Sequence, residues 1–525
     1  MASHQEIEVK LRADPEKIGK MRRSRWWREL EPVSRQSLHS IYFDTDDRQL
    51  RDSNISLRTR TDGHDIVQTV KLLDGSSDTV SRREWETLVP DPIPDPSLVI
   101  DPALPQEFRK LTSADLHPVF DVDVKRETRR LTSDRAKIDV SLDDGAVIAG
   151  DDRKPVHEVE LELVAGDFAD LFAEAQRLSD AIDGRLHVRT KADLGYALNR
   201  GERRHWSRAP KLNLTPGMTA GLSFRHIILN SFAHLTANDD CARLNLHVEG
   251  VHQCRIALRR LRSAFKIYRP LLRRKPIEPI EDGVRWLGKV LGTARDLDVL
   301  QAELLEPASE ALGAAEQLAP LMASLQAKKA GAYAEVGEAL ASARYRHFLI
   351  DLCALAHADD LGKSGADSPR LDQPLAELAA RALSKAHRKL LMRGREFEML
   401  SETERHDVRI ALKRLRYALD FFGGVFDGAP RKKFFKKLAR LQDDLGRMND
   451  VAVAQTMLAQ LVGVASDGAE PPAAAAARGQ VAFAAGGILG WHRRRAAEMD
   501  VQLIEDWNSF IRVAPFWLQQ QNAAA

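Results

Sequence analysis

Two glutamates and a lysine stand at alternate positions close to the N-terminus, in Glu6-Ile7-Glu8-Val9-Lys10. Side chains on a β-strand alternate between faces, so a strand here puts Glu6, Glu8 and Lys10 on one side and Ile7, Val9 and Leu11 on the other. Two carboxylates about 7 Å apart along a strand can hold a hard divalent cation such as Mg²⁺ or Mn²⁺. A lysine one step further can hold a phosphate as a point charge. A solvated strand face with alternating charge has the same pattern, so the pentapeptide alone does not decide between the two.

Charged rows recur along the first two hundred residues. Glu84/Glu86 and Glu158/Glu160/Glu162 are rows of carboxylates, Arg58/Arg60 is a row of cations, and Lys71 and Arg126 extend the cationic set. Asp139, Ser141 and Asp143 share one strand face, and Arg82 shares a face with Glu84 and Glu86. The residues opposite each row are apolar. A polar-out sandwich gives this alternation too, but ordinary solvent faces mix Thr, Ser, Gln and Lys. The repeated rows argue instead for a barrel with its charges inside and its apolar faces covered by helices. Unpaired charges in such a lumen would be costly. A polyphosphate with divalent metals satisfies both signs, Arg and Lys taking phosphate oxygens and Glu taking metal.

The elements that must position these rows are short and broken by turns. Strands are expected at 6–11, 40–44, 55–60, 66–72, 82–87, 119–126, 136–142 and 158–163, with a helix at 168–181 and a turn at Asp62-Gly63. Roughly eight such strands suggest a closed antiparallel barrel. A barrel of that size has room for side chains and one small ligand.

The ordered set resembles the CYTH domain, the triphosphate tunnel metalloenzyme family. Glu6-Ile7-Glu8-Val9-Lys10 is similar to its ExExK signature and Tyr42-Phe43-Asp44-Thr45 to its YfDT stretch. Leu57-Arg58-Thr59-Arg60, Thr69-Val70-Lys71, Arg82-Arg83-Glu84-Trp85-Glu86 and Glu158-Val159-Glu160-Leu161-Glu162-Leu163 follow in the family's order. Lys191 before Gly195-Tyr196 resembles the SKxxxGY ending, with Thr190 where the family usually has Ser. The resemblance covers residues 1 to about 200. It implies an eight-stranded tunnel that hydrolyses or cyclises triphosphates with Mg²⁺ or Mn²⁺, two ions per tunnel. Glu6, Glu8, Glu158, Glu160 and one of Asp143 or Asp144 would hold metal, alternation favouring Asp143. Lys10, Arg58, Arg60, Lys71 and Arg126 would clamp phosphates, joined by Arg82 and Lys191. Glu84, Glu86 and Glu162 have less defined roles, and Glu162 and Arg130 also read as rim charges.

The chain has 525 residues, more than one ordinary core holds, so two or three domains are expected. Hydrophobic residues make up 44% and charged residues 29%, with a formal net charge of +2, so polyanion binding must come from local clustering. No apolar run approaches the roughly 20 residues of a membrane span, and the charged N-terminus lacks a signal peptide's apolar stretch. Cys241, Cys254 and Cys353 fit neither a disulfide framework nor zinc spacing. These features describe a reduced, cytoplasmic protein.

The strand pattern stops near 203. Residues 204–218, with Ala209-Pro210 and Thr215-Pro216-Gly217, read as a linker. Beyond it the periodicity is helical. His252–Phe265 aligns without gaps on His406–Leu419 at an offset of 154 residues, and the same offset carries Leu291–Asp296 onto Leu445–Asp450. A shared offset indicates internal duplication, with copies at about 219–375 and 376–515 and a tail at 516–525. His252, Arg255, Arg259, Arg262 and Lys266 form one basic helical stripe, and His406, Arg409, Lys413 and Arg416 the second. No acidic residue lies between 252 and 275. Unrelieved cations repel by a few tenths of a kcal/mol per i,i+4 pair, which a polyanion would relieve. Leu361–Pro374 reads as a loop and 464–488 as a flexible connection.

The two His-x-x-Arg-Ile-Ala-Leu helices and the two Leu-Gly…Asp motifs resemble the CHAD domain. The resemblance implies two pseudo-symmetric four-helix bundles and a basic channel for inorganic polyphosphate. Asp296 and Asp450 read as tethers of the arginines rather than catalytic groups. Together the two resemblances imply an inorganic triphosphatase whose helical half docks long-chain polyphosphate, in the cytoplasm and at polyphosphate granules. The other readings are a polyphosphate-binding module without turnover, and an enzyme for thiamine triphosphate or a nucleotide, including adenylate cyclase. A nucleic-acid reader is disfavoured, because no helix-turn-helix, zinc site or single-strand aromatic platform accompanies the basic helices.

Overall fold

The computed structural model describes residues 4–519 apart from 63–64, 73–79, 202–204, 314, 363–369, 427–429 and 463–471. The expected Asp62-Gly63 turn falls partly outside them. Nine strands form one sheet: β1 (His4–Arg12), β2 (Glu31–Asp44), β3 (Ile55–Asp62), β4 (Asp65–Leu72), β5 (Ser81–Val89), β6 (His117–Thr132), β7 (Lys137–Ala149), β8 (Asp152–Ala165) and β9 (Arg185–Leu186). The order is β5-β4-β3-β2-β6-β7-β8-β1-β9, and β1 also pairs with β5. That pairing closes eight antiparallel strands into a barrel, with β9 as a two-residue addition beside β1. Closure leaves no long exposed edge.

The barrel is apolar on the outside. On one flank Val9, Leu11, Val140, Leu142, Val159 and Leu161 pack under the helix Phe168–Ile182. On the other, Leu57, Val70 and Trp85 are covered by Val99, Leu104 and Phe108 of the β5–β6 connection. Alternation then sends the charged rows inward.

One end of the lumen is apolar. Phe120, Val122 and Val124 share the β6 face of Arg126, and with Val147 and Val156 they pack against Ala192, Leu194 and Tyr196 of the helix Lys191–Asn199. This helix plugs the barrel. Gly195 lets it lie flat on Phe120, because a Cβ there would stand only 2.1 Å from the ring. Tyr196 donates its hydroxyl hydrogen to buried Asp44 at 2.8 Å. Asp44 also accepts from the Leu50 and Arg51 backbone N–H groups.

Described residues 205–218 contain no helix or strand, as the linker reading requires, but they are pinned. Asn230 donates to the Pro210 carbonyl, Asn238 and Ser207 exchange two hydrogen bonds, and Leu214 is buried. Beyond them the regular elements among the described residues are all helices. Val248–Tyr268 and Glu402–Phe422 are both 21 residues long and stand at the offset read from the sequence. Ala220–Thr236, Glu278–Val299 and Ala315–Ala341 are matched in order by Leu375–Arg393, Pro430–Val462 and Pro472–Ile511.

Two readings need correction. Residues 472–488 are not a flexible connection but the start of the helix Pro472–Ile511. The alanines after Pro472 are strong helix formers, and proline is tolerated in a first helical turn. Residues 516–519 are not a tail: Phe516 and Trp517 are buried against Phe434 and His387, and Trp517 donates to Ser384. Only 520–525 lie outside the described residues.

The halves are joined by buried charge and aromatic stacking. Arg185 beside β1 binds Asp239 and Asp240, both at 2.8 Å. Asp183 accepts from Lys17 at 2.8 Å and Arg346 at 3.0 Å, and His347 meets Asp180 at 2.7 Å. His357 stacks on Phe168 with ring centroids 4.8 Å apart. Among the described residues no helix is long and apolar enough to cross a membrane.

Candidate active site

The lumen encloses a cavity of about 350 Å³. Its wall is divided by sign. β7, β8, β1 and β5 are consecutive around the barrel and bring Asp143, Glu160, Glu162, Glu6, Glu8, Glu84 and Glu86. β4, β3, β2 and β6 complete the ring and bring Lys71, Arg58, Arg60 and Arg126. Lys10 and Arg82 stand within the acidic arc, and Lys191 enters from the plug helix.

The carboxylates of Asp143, Glu158 and Glu160 form a buried trio with oxygens within 4.8 Å of one another. Strand register produces it: Asp143 of β7 lies opposite Glu158 of β8, and Glu160 is the next inward residue. Asp143 is fully buried, whereas Asp144 faces outward to His157 at 3.1 Å. Arg126 takes Asp143 bidentately at 2.7 and 2.6 Å and also binds Glu160. Lys191 reaches all three carboxylates, at 2.8, 2.9 and 2.7 Å. Burial pushes the Glu160 carboxyl up, but Arg126, Lys10 and Lys191 outweigh it and hold Glu160 well below the usual range. For Asp143, Lys191 and Arg126 outweigh burial in the same way. Glu160 and Asp143 are thus held ionised although buried, as a hard divalent ion requires, and with Glu158 beside them the trio can hold a metal ion.

Glu6 and Glu8 are not part of the trio. Glu6 accepts from Lys71 at 2.6 Å, and Glu8 pairs with Lys10 at 2.8 Å and Arg82 at 3.1 Å. The five carboxylates expected to hold metal therefore divide into a trio and a pair, and four of the five, Asp143, Glu160, Glu6 and Glu8, line one cavity. Lys71 also approaches Glu84 at 3.4 Å, and Arg60 approaches Glu86 at the same distance. Arg58 donates to the Tyr42 hydroxyl at 3.4 Å, and its Nε is buried without a hydrogen-bond partner. Burial lowers the Arg60 pKa, and Arg58 and Arg126 lower it further. Within this cationic arc Lys71 and Arg126 are paired with carboxylates, whereas Arg60 stands among like charges with Glu86 at 3.4 Å.

Glu162, read from the sequence also as a rim charge, is partly buried. It lines the cavity, and burial first, then Glu6 and Glu8, push it up to about 7. A carboxyl raised in the folded state adds stability below about pH 4.5, which is lost as pH rises through about 7. Glu162→Gln should therefore raise the melting temperature of the metal-free protein at about pH 8 and leave it little changed at about pH 5. Thermal melts at the two pH values check this.

Tyr42, Asp44 and Tyr196 were quoted within motifs but given no role by sequence reasoning. Strand alternation places Tyr42 beside Ser40 on the inner face of β2, a signal that was present. The Asp44–Tyr196 contact joins residues 152 apart and leaves no periodic trace.

In the helical half the two basic stripes meet. Arg259 donates to the Tyr417 hydroxyl at 2.7 Å across the duplicated helices. Arg255 lies 3.6 Å from Asp296, whose charged neighbours are Arg255, Arg295, Arg259 and Lys413 from both copies. Arg262, Lys266 and His406 are exposed, and His252, Arg409 and Lys413 are half-buried. Arg416 pairs with Asp420 at 2.9 Å. The side chains of Asn449 and Asp450 lie outside the described residues. Burial, then Arg295, pushes His252 down to about 4.

An inside-out antiparallel barrel with opposed charged arcs, joined to a duplicated helical half, defines a two-domain protein. Residues 4–189 match the CYTH domain family and residues 226–459 match the CHAD domain family. An inorganic triphosphatase of Haemophilus influenzae is 29% identical over 198 residues, 37% of this chain and 55% of that protein. The chain thus spans about half the length of that curated relative. Among solved structures, the CHAD domain of the plant Ricinus communis is 29% identical with a TM-score of 0.45, over 56% of this chain and 94% of that one. PptA from Streptomyces chartreusis is 17% identical with a TM-score of 0.42, over 55% of this chain and all of that one.

Proposed function

We propose that the barrel is a metal-dependent inorganic triphosphatase and that the helical half binds long-chain polyphosphate. The observation that carries the first part is the division of one lumen into a carboxylate arc and a guanidinium–ammonium arc. A triphosphate bridged to a divalent cation has both complements. Asp143, Glu158 and Glu160 hold Mg²⁺ or Mn²⁺ through oxygen donors only, and Glu6, Glu8 and Glu162 offer a second acidic position. When bound, the metal neutralises phosphate charge and lowers the pKa of a coordinated water. Arg58, Arg60 and Arg126 take phosphate oxygens as planar forks, and Lys10, Lys71, Arg82 and Lys191 take them as further cations. Their work is to fix the chain in line and to stabilise charge on the departing phosphate.

Phosphate release from tripolyphosphate should require Mg²⁺ or Mn²⁺ and stop on chelation. A panel with ATP, thiamine triphosphate and long polyphosphate separates this reading from the organic-triphosphate one. Polyphosphate binding without any phosphate release would replace it with a binding module. The supporting residues for polyphosphate are the facing stripes His252, Arg255, Arg259, Arg262, Lys266 and His406, Arg409, Lys413, Arg416. A bound polyanion raises the His252 pKa, so affinity falls as pH rises from about 4 through the bound-state value. Polyphosphate should bind tighter at about pH 4 than at about pH 7, and His252→Gln should flatten the difference. Equal affinity of the parent protein at both pH values counts against contact.

A further inference from the structure

The trio of Asp143, Glu158 and Glu160 is bridged by a cation of the chain itself. The Lys191 ammonium has three N–H donors, and it lies 2.8, 2.9 and 2.7 Å from the three carboxylates in turn. These are the oxygens that an oxygen-ligated divalent ion would use. Arg126 and Lys10 share part of this set, at Asp143 and Glu160, but Lys191 touches all three carboxylates, so a divalent ion seated among them would take the place of its ammonium.

The backbone that carries Lys191 is fixed. Thr190 and Asp193 form a reciprocal capping box, Tyr196 is bonded to Asp44, and Gly195 rests on Phe120. What can move is the four-carbon side chain, which has the rotamer freedom to do so. It borders the same cavity as Arg58 and Arg60.

We propose that Lys191 is an internal place-holder. It keeps the three carboxylates together until a divalent ion takes them, and its ammonium then turns into the lumen to bind a phosphate of the substrate. This rests on the metal-dependent reading of the barrel given above. It makes metal and triphosphate binding interdependent. Metal entry alone costs three ion pairs, two of them hydrogen-bonded, and a phosphate that accepts the ammonium offsets part of that loss. Coupling of this kind is reciprocal, so each ligand tightens the other by the same factor.

The test is Mn²⁺ binding, followed by electron paramagnetic resonance or calorimetry, with and without tripolyphosphate. In Lys191→Met the length is kept and the charge removed. Its Mn²⁺ affinity without phosphate should rise roughly ten- to a hundredfold, the scale of lost charged hydrogen bonds. Tripolyphosphate should then enhance Mn²⁺ binding less than it does in the parent. Affinity equal to or below the parent's overturns the place-holder. If Lys191→Met proves too unstable, Tyr196→Phe frees the plug helix from Asp44 with the lysine intact. It should give a smaller rise of the same sign, and no rise overturns the proposal. Glu158→Gln separates the two levels. If it leaves the parent's Mn²⁺ binding intact, the ion sits elsewhere, and the trio reading and the place-holder fall together. If it removes Mn²⁺ binding while Lys191→Met gains nothing, only the place-holder falls.

Discussion

Replacing Glu160 by glutamine is expected to lower metal-dependent tripolyphosphate hydrolysis about a thousandfold, the several kcal/mol a metal supplies to a phosphoryl transition state. Glu160 is the hub of the lumen: it binds Arg126, stands 3.3 Å from Lys10 and 2.7 Å from Lys191, and completes the carboxylate trio. Glutamine keeps the shape and one acceptor oxygen but removes the charge. The trio then holds fewer negative charges than the cations pointed at it, and a divalent ion loses a ligand. Glu86→Gln is the control. Glu86 is exposed and meets only Arg60 and Thr69, at 3.4 and 3.3 Å, so its effect should be within about tenfold. Rates should be taken below both melting temperatures, because removing one member of a buried network also costs stability. A Glu160→Gln rate within tenfold of the parent would sink the assignment of the trio. Polyphosphate binding by the helical half should be unchanged in the same protein.

The second large effect concerns the seam between the halves. Arg185→Met should destabilise the chain by about 3–5 kcal/mol, the usual loss when one member of a buried ion pair is deleted. Asp239 is buried, accepts from Arg185 at 2.8 Å and receives the Tyr345 hydroxyl at 3.1 Å. Burial pushes its pKa up while Arg185 pulls it down. Without Arg185 the Asp239 charge has no full counter-ion, and the group must take up a proton or draw in water. Denaturant unfolding measures the loss. The double variant Arg185→Met with Asp239→Leu should recover most of it, because both ends of the pair then become apolar. If the double variant is no better than Arg185→Met, the pair is not the cause.

The inward face of the barrel was legible because strand alternation has a period of two and the charged rows respect it. Glu6, Arg58, Lys71, Arg82 and Glu160 all lie on the face that the alternation gave them. The partition of the acids was not legible. It depends on register, which sets Asp143 against Glu158 and Glu8 against Glu162, and no local pattern encodes that. The duplication gave the paired helices Val248–Tyr268 and Glu402–Phe422, because both copies keep the same spacing. The Ala473–Ala477 run was misread because low complexity was weighed above helix propensity, and tertiary packing of Ala484, Ala485 and Ile488 completes the helix. Phe516 and Trp517 were set aside as a tail although two adjacent aromatics at a chain end signal docking. The seam at Arg185, Asp239 and Arg346 left no trace, since its members come from one strand and two separate helices with no common period.

The helix that begins at Lys191 turns the barrel from a pipe into a cul-de-sac. A polymer cannot thread through it, so a long chain can present only an end. On the function proposed above, a released phosphate would leave by the entrance before another end came in. Such a vessel works in separate visits rather than by processive travel along one chain.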